Sequence, residues 1–158
     1  MKKGAEMKLI RATTVLICAI LIALSPITAR AATLPEAGSD EFFELRSLIA
    51  KVVEATLPER ASYVCRLALS CVIVNRAADP RFPDDIRSVV YERGEFECTA
   101  KENFNRVRPS YLSRAAARDA LLGCDVTAGA VYFRPARASE VPDGCFYHSG
   151  YVFLREIG

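Results

Sequence analysis

Between Ala61 and Val74 the chain is apolar almost all the way round a helix, with Arg66 the one marked exception. A helix without a solvent face belongs in the core, so other elements must be found to cover it. Upstream, Phe42, Leu45, Leu48, Ile49, Val52 and Val53 recur at spacings of three and four. That pattern predicts an amphipathic helix of about four turns, with Asp40, preceded by Ser39, as its N-cap. Leu57-Pro58 ends it, because the residue before a proline is pushed out of the α region. Pro58 then opens the second helix, where a missing N–H costs nothing. Asn75 is read as its terminator, being a residue that tolerates the left-handed conformation.

Beyond Asn75, Asp79-Pro80-Arg81-Phe82-Pro83 predicts a stiff turn. Ile86 to Tyr91 fits a short helix or a strand, which the pattern leaves open. Tyr111 to Leu122 predicts a further helix, rich in alanine and closed by Gly123. Two aromatic and β-branched stretches, 129–134 and 145–154, predict two strands joined by 135–143. The expected class is α+β, mainly α, with a small sheet near the end.

The first thirty residues read as a targeting segment. A basic lead (Lys2, Lys3, Lys8, Arg11) precedes an apolar run from Ala12 to Leu24; Pro26 breaks the run, and Ala29-Arg30-Ala31 supplies a small-x-small site. This is the pattern of a secretory signal peptide cleaved after Ala31. The apolar run is short for a membrane span, which needs about 20 residues. Membrane contact is expected only through this segment, if it stays uncleaved. The organisation predicted is a signal peptide at 1–31, a short tether at 32–40 and one domain at 41–158, a monomer working in the periplasm or outside the cell.

Removing 1–31 takes away five of the 21 basic residues and one of the 19 acidic ones, leaving 16 against 18. The basic character belongs to the targeting segment, and nucleic-acid binding loses its compositional support. Cys65, Cys71, Cys98, Cys124 and Cys145 remain, enough for two disulfides and a free thiol in an oxidising compartment, with the pairing open. Plain buried thiols at Cys65 and Cys71 fit equally well. One histidine and no Cys-x-x-Cys argue against a structural metal site, and no cofactor motif is present.

Several segments, in order, carry a resemblance. They are Val72-Ile-Val-Asn-Arg, Pro80-Arg-Phe-Pro, Ser88-Val-Val-Tyr with Gly94-Glu-Phe-Glu-Cys, the alanine-rich stretch Ala115 to Leu122, and Cys124-Asp-Val-Thr-Ala-Gly-Ala-Val-Tyr-Phe. Over roughly residues 45–155 the chain resembles the SleB-type cell wall hydrolases, the family of the spore cortex-lytic enzymes. The resemblance implies a lysozyme-like fold and cleavage of peptidoglycan glycan strands, in many members as lytic transglycosylases. That chemistry needs a carboxyl held protonated near neutrality, which donates to the glycosidic oxygen and then, as carboxylate, accepts a proton from the sugar hydroxyl that closes an anhydro ring. A hydrolase would add a second carboxylate across the bond.

In the family the acid lies in a Glu-Ala-Arg-Gly-Glu motif between the first two helices. Here the chain reads Val53-Glu54-Ala55-Thr56-Leu57-Pro58-Glu59-Arg60. Glu54-Ala55 matches the opening pair, so the resemblance implies Glu54 as acid/base, with Glu59 as runner-up. Aligned without a gap from Asn75 backwards, Leu57 takes the acid's place and the site is inactive. Glu95 stands where the family has glutamine in a Gly-Gln-Phe loop, and with Phe96, Tyr132 and Tyr151 is expected to contact sugar. Anchoring on Phe153 displaces the lone His148 from the family's histidine position, so a surface or packing role, not catalysis, is expected of it. The competing reading is a catalytically inactive module that binds peptidoglycan or a cell-wall partner.

Overall fold

The computed structural model describes residues 34–157. The expected signal segment and its expected cleavage site lie outside them. Helix α1 spans Asp40–Thr56, α2 Tyr63–Ala78, α3 Ile86–Tyr91 and α4 Tyr111–Leu121. Short 3₁₀ turns at Glu97–Ala100, Phe104–Arg106 and Ala138–Glu140 punctuate the loops. Strands β1 Tyr132–Pro135, β2 Phe146–His148 and β3 Tyr151–Leu154 form one antiparallel sheet in the order β1-β3-β2. The mainly helical α+β class and the small late sheet are as the sequence predicts.

Helix α2 is the buried centre. Cys65, Ala68, Leu69, Val72 and Ile73 are all fully buried in the main core. Helix α1 contributes Ile49, Val52 and Val53, α3 contributes Val89 and Val90, and β3 brings in Phe153. A second apolar cluster joins α2 to α4 through Leu67, Cys71, Ala116 and Ala120. The alanines allow α4 to lie close against the central helix. Leu34, within the expected tether, packs on the main core.

Three local expectations about the helices are corrected. Ser39, not Asp40, caps α1, its hydroxyl accepting the Phe42 N–H at 3.1 Å. The second helix opens at Tyr63 behind the cap Ser62, not at Pro58. The reason is Arg66: its guanidinium takes the carbonyls of Ala61, Glu59 and Pro58, which holds 58–61 as a turn. Asn75 does not end α2, because its amide is engaged by Asp125, Thr127 and the Ala130 carbonyl while the backbone continues to Ala78. Asp79, extended before Pro80, ends the helix instead.

The predicted strand 145–154 is a hairpin. Ser149 and Gly150 have φ of 51° and 85°, the paired positive values of a two-residue type I′ turn. The register sets Phe133 opposite Phe153 from one side and Phe146 opposite it from the other.

Candidate functional site

A groove of about 580 Å³ opens between the end of α1, the loop 94–101 and the edge of the sheet. Ala55 and Thr56 form one wall; Glu95, Phe96, Glu97 and Lys101 form the second; Phe133, Arg134, Pro135 and Tyr151 form the third. The groove continues past Pro135 and Tyr151 into a hollow bordered by Pro58, Arg60, Ala61 and the Ser149-Gly150 turn. Its floor is aromatic: Phe96 stacks on Phe133 at a centroid separation of 6.4 Å, and Phe133 stacks on Phe153 at the same separation.

Glu95 reaches the groove under control of a buried arginine. Arg76, 3 % exposed, donates to Glu95 Oε2 at 2.5 Å and to the Val131 carbonyl at 2.6 Å. The rings of Phe82, Phe96 and Tyr132 surround its guanidinium at 4.9, 5.4 and 5.7 Å. A planar guanidinium suits both roles, since it stacks on rings while donating in its plane. The Glu95 side chain keeps 35 % of its surface exposed.

Glu54 lies one residue before the groove wall, its carboxylate held in a polar network and its side chain 19 % exposed. Its Oε2 accepts from Arg66 Nη1 at 3.1 Å, the Ser110 N–H at 2.9 Å, the Ser110 hydroxyl at 2.8 Å and the Ser113 hydroxyl at 2.7 Å. Arg66, 1 % exposed, also donates to Ser113 Oγ. Burial pushes the Glu54 carboxyl upward. The Ser113 hydroxyl, the Ser110 N–H and hydroxyl, and the Arg66 charge outweigh it, so its pKa lies below the ordinary 4.5. In the free protein Glu54 is a carboxylate.

The groove therefore gathers Glu95, Phe96 and Tyr151 of the residues singled out in the sequence. Phe96 is a floor residue, 3 % exposed, so it offers little more than a ring edge. Tyr132 does not line the groove and packs on Phe82 at 5.7 Å, while its neighbour Phe133 does line it. Glu59 borders a shallow depression with Pro58 and Arg60, which also border the hollow that continues the groove, and does not line the main groove. His148 packs on Phe146, and its Nε2 meets the Ser62 hydroxyl at 2.8 Å. Sequence reasoning missed Thr56, Lys101 and Arg134 as groove residues, and Arg66, Arg76, Ser110 and Ser113 as the groups that fix the two glutamates. A lone arginine in an apolar helix was the available signal for Arg66, because a buried cation demands a partner.

Among the described residues no group of three or more His, Cys, Asp or Glu side chains is placed to hold a metal ion. No helix among them is long and apolar enough to cross a membrane.

Comparison with known proteins gives this geometry a family. The fold is similar to the catalytic domain of the germination-specific lytic transglycosylase SleB from Bacillus anthracis, with a TM-score of 0.60 at 20 % identity over 76 % of this chain and 98 % of that one. The catalytic domain of Bacillus cereus SleB gives a TM-score of 0.60 at 21 % identity, over 77 % and 94 % of the two chains. A spore cortex-lytic enzyme of Halalkalibacterium halodurans is 37 % identical over 79 residues, 49 % of this chain and 24 % of that protein. The chain thus spans about a quarter of that relative's length. The Cell Wall Hydrolase family matches residues 60–158, which build the central helix, the 94–101 loop and the sheet, and the chain belongs to that family.

Proposed function

We propose that this domain is exported and cleaves the glycan strands of peptidoglycan, as a lytic transglycosylase or muramidase, with the strand lying in the groove. The carrying observation is that the family match, 60–158, includes two of the groove's three walls, the 94–101 loop and the sheet edge. An elongated groove with an aromatic floor and carboxylate, lysine and arginine groups on its rim suits a sugar chain. Glu95, with one oxygen held by Arg76, accepts from sugar hydroxyls; Tyr151 offers a ring and a hydroxyl.

Glu54 is the acid/base in this proposal. The free protein holds it ionised, so it must gain its proton as the strand binds. Drying of the site and loss of the serine hydrogen bonds both raise a carboxyl's pKa. The protonated form then donates to the glycosidic oxygen, and the resulting carboxylate takes the proton from the attacking hydroxyl.

A second reading is favoured by a specific observation: the domain binds glycan strands without cutting them. Glu54 is enclosed by Arg66, Ser110 and Ser113, is absent from the groove lining and precedes the matched segment. Incubation with purified peptidoglycan separates the two. Soluble fragments with anhydro or reducing ends identify a cleaving enzyme; cosedimentation without such fragments identifies a binding module. Absence of both defeats the peptidoglycan assignment.

A further inference from the structure

We propose that Cys71 and Cys124 form an intramolecular disulfide when the protein meets a disulfide oxidant, which makes this pair a site of oxidative modification. Cys71 lies in α2, 1 % exposed, in the cluster that joins α2 to α4. Its thiol points at the chain leaving α4 and donates to the Cys124 carbonyl at 3.1 Å. Cys124 is exposed and follows Gly123, whose φ of 90° turns the chain at the end of α4. Its N–H is fixed to the Asp119 carbonyl at 2.9 Å. One sulfur therefore rests against the backbone of the residue that carries the other, and the second is open to solvent. Closing the bond asks the exposed Cys124 side chain to swing inward, onto a sulfur that already touches its own residue's carbonyl. Cys98, by contrast, faces the Thr56 hydroxyl at 3.6 Å.

The chemistry runs in two exchanges. The Cys124 thiolate attacks one sulfur of a small disulfide such as oxidised glutathione; the S–S bond breaks, a mixed disulfide forms on Cys124 and one glutathione thiolate leaves. Cys71 then gives up its proton to solvent and attacks the Cys124 sulfur, expelling the second glutathione thiolate. Two protein thiols are oxidised and one glutathione disulfide is reduced to two thiols. Burial pushes the Cys71 thiol up to about 12, against the help of the Val126 N–H, so its thiolate is scarce near neutrality and the second exchange is the slow one. The product staples α2 to the 124–130 turn that Asn75 already holds by hydrogen bonds.

The test uses the full chain with oxidised glutathione, followed by alkylation, digestion without reduction and mass analysis of the peptides. A peptide pair linking Cys71 to Cys124 is expected, reached through a transient glutathione adduct at Cys124. Closure should quicken about tenfold for each pH unit between roughly 7 and 9. The linked protein should melt roughly 10 °C higher than the reduced one. Cys124→Ser, at an exposed position, should fold normally and leave Cys71 a free thiol. A Cys124 adduct that persists while Cys71 alkylates on unfolding would overturn the proposal. So would a link from Cys124 to any other cysteine, or no reaction at either residue.

Discussion

Helix α2 carries two buried arginines, Arg66 and Arg76, each paired with a glutamate, and the two pairs are put to opposite uses. Ten residues separate them, about 15 Å along the helix. Arg66 and Glu54 form a closed clasp: the side chains are 2 % and 19 % exposed, and four donors meet on one carboxylate oxygen. Arg76 and Glu95 form an open mount: the arginine is buried among three rings, but the glutamate is 35 % exposed on a groove. The same residue pair thus ties α1 to α4 in one place and presents a carboxylate to solvent in the other. What differs is the surroundings of the carboxylate. Two serines at the start of α4 complete the first, and a cleft leaves the second incomplete.

Breaking the clasp should give the largest effect. Arg66→Leu takes from Glu54 its counter-charge and one of four donors and frees three carbonyls, so a loss of about 3–5 kcal/mol is expected in urea unfolding near neutral pH. Arg76→Leu should cost less, about 2 kcal/mol, because Glu95 can turn to water once released. Equal losses for the two variants would erase the distinction between clasp and mount. Ser110→Ala removes both the cap of α4 and a donor to Glu54, and should cost about 1 kcal/mol.

Acid titration sharpens the contrast further. The folded-state pKa of Glu54 is depressed, so below its ordinary value the unfolded chain binds the extra proton. Its stabilisation is fully present above about pH 4.5 and is lost as pH falls through the folded value. Unfolding midpoints measured from pH 7 down to about pH 3 should fall, and Glu54→Gln should flatten the part of that fall due to this group. Asp125, held low by Thr127, Gly129 and Asn75 despite burial, will leave a residual slope in the variant. Glu95→Gln keeps an amide oxygen for Arg76 but removes its counter-charge, so about 1 kcal/mol is expected in stability, with its further consequence read as weaker cosedimentation with peptidoglycan.

Much of the scaffold was legible because it rests on local patterns. The periodicity of α1, the all-round apolar face of α2 and the alanine-rich α4 are properties of short windows, and they appear where expected apart from the two ends of α2. The site was less legible because its geometry is made by distant partners. Glu54 reads as one more polar-face residue until Ser110 and Ser113, more than fifty positions away, are brought to it. Asn75 looks like a helix stop until the 125–130 turn engages its amide. Tyr132 and Phe133 are equally plausible on the groove, and only the register with β3 decides between them. The hairpin, in contrast, had a local sign in Ser149-Gly150 that the run of aromatics obscured.

The central claim is that strands are cut in the groove with Glu54 as acid/base, and release of soluble fragments from purified peptidoglycan by Glu54→Gln tests it most directly. Unfolding is followed in parallel, so that folded protein is compared with folded protein. The account predicts that wild type releases fragments and that the variant loses at least about a hundredfold in rate while still sedimenting with the wall. Release by the variant within a few-fold of wild type would contradict it and leave Glu54 as a clasp alone.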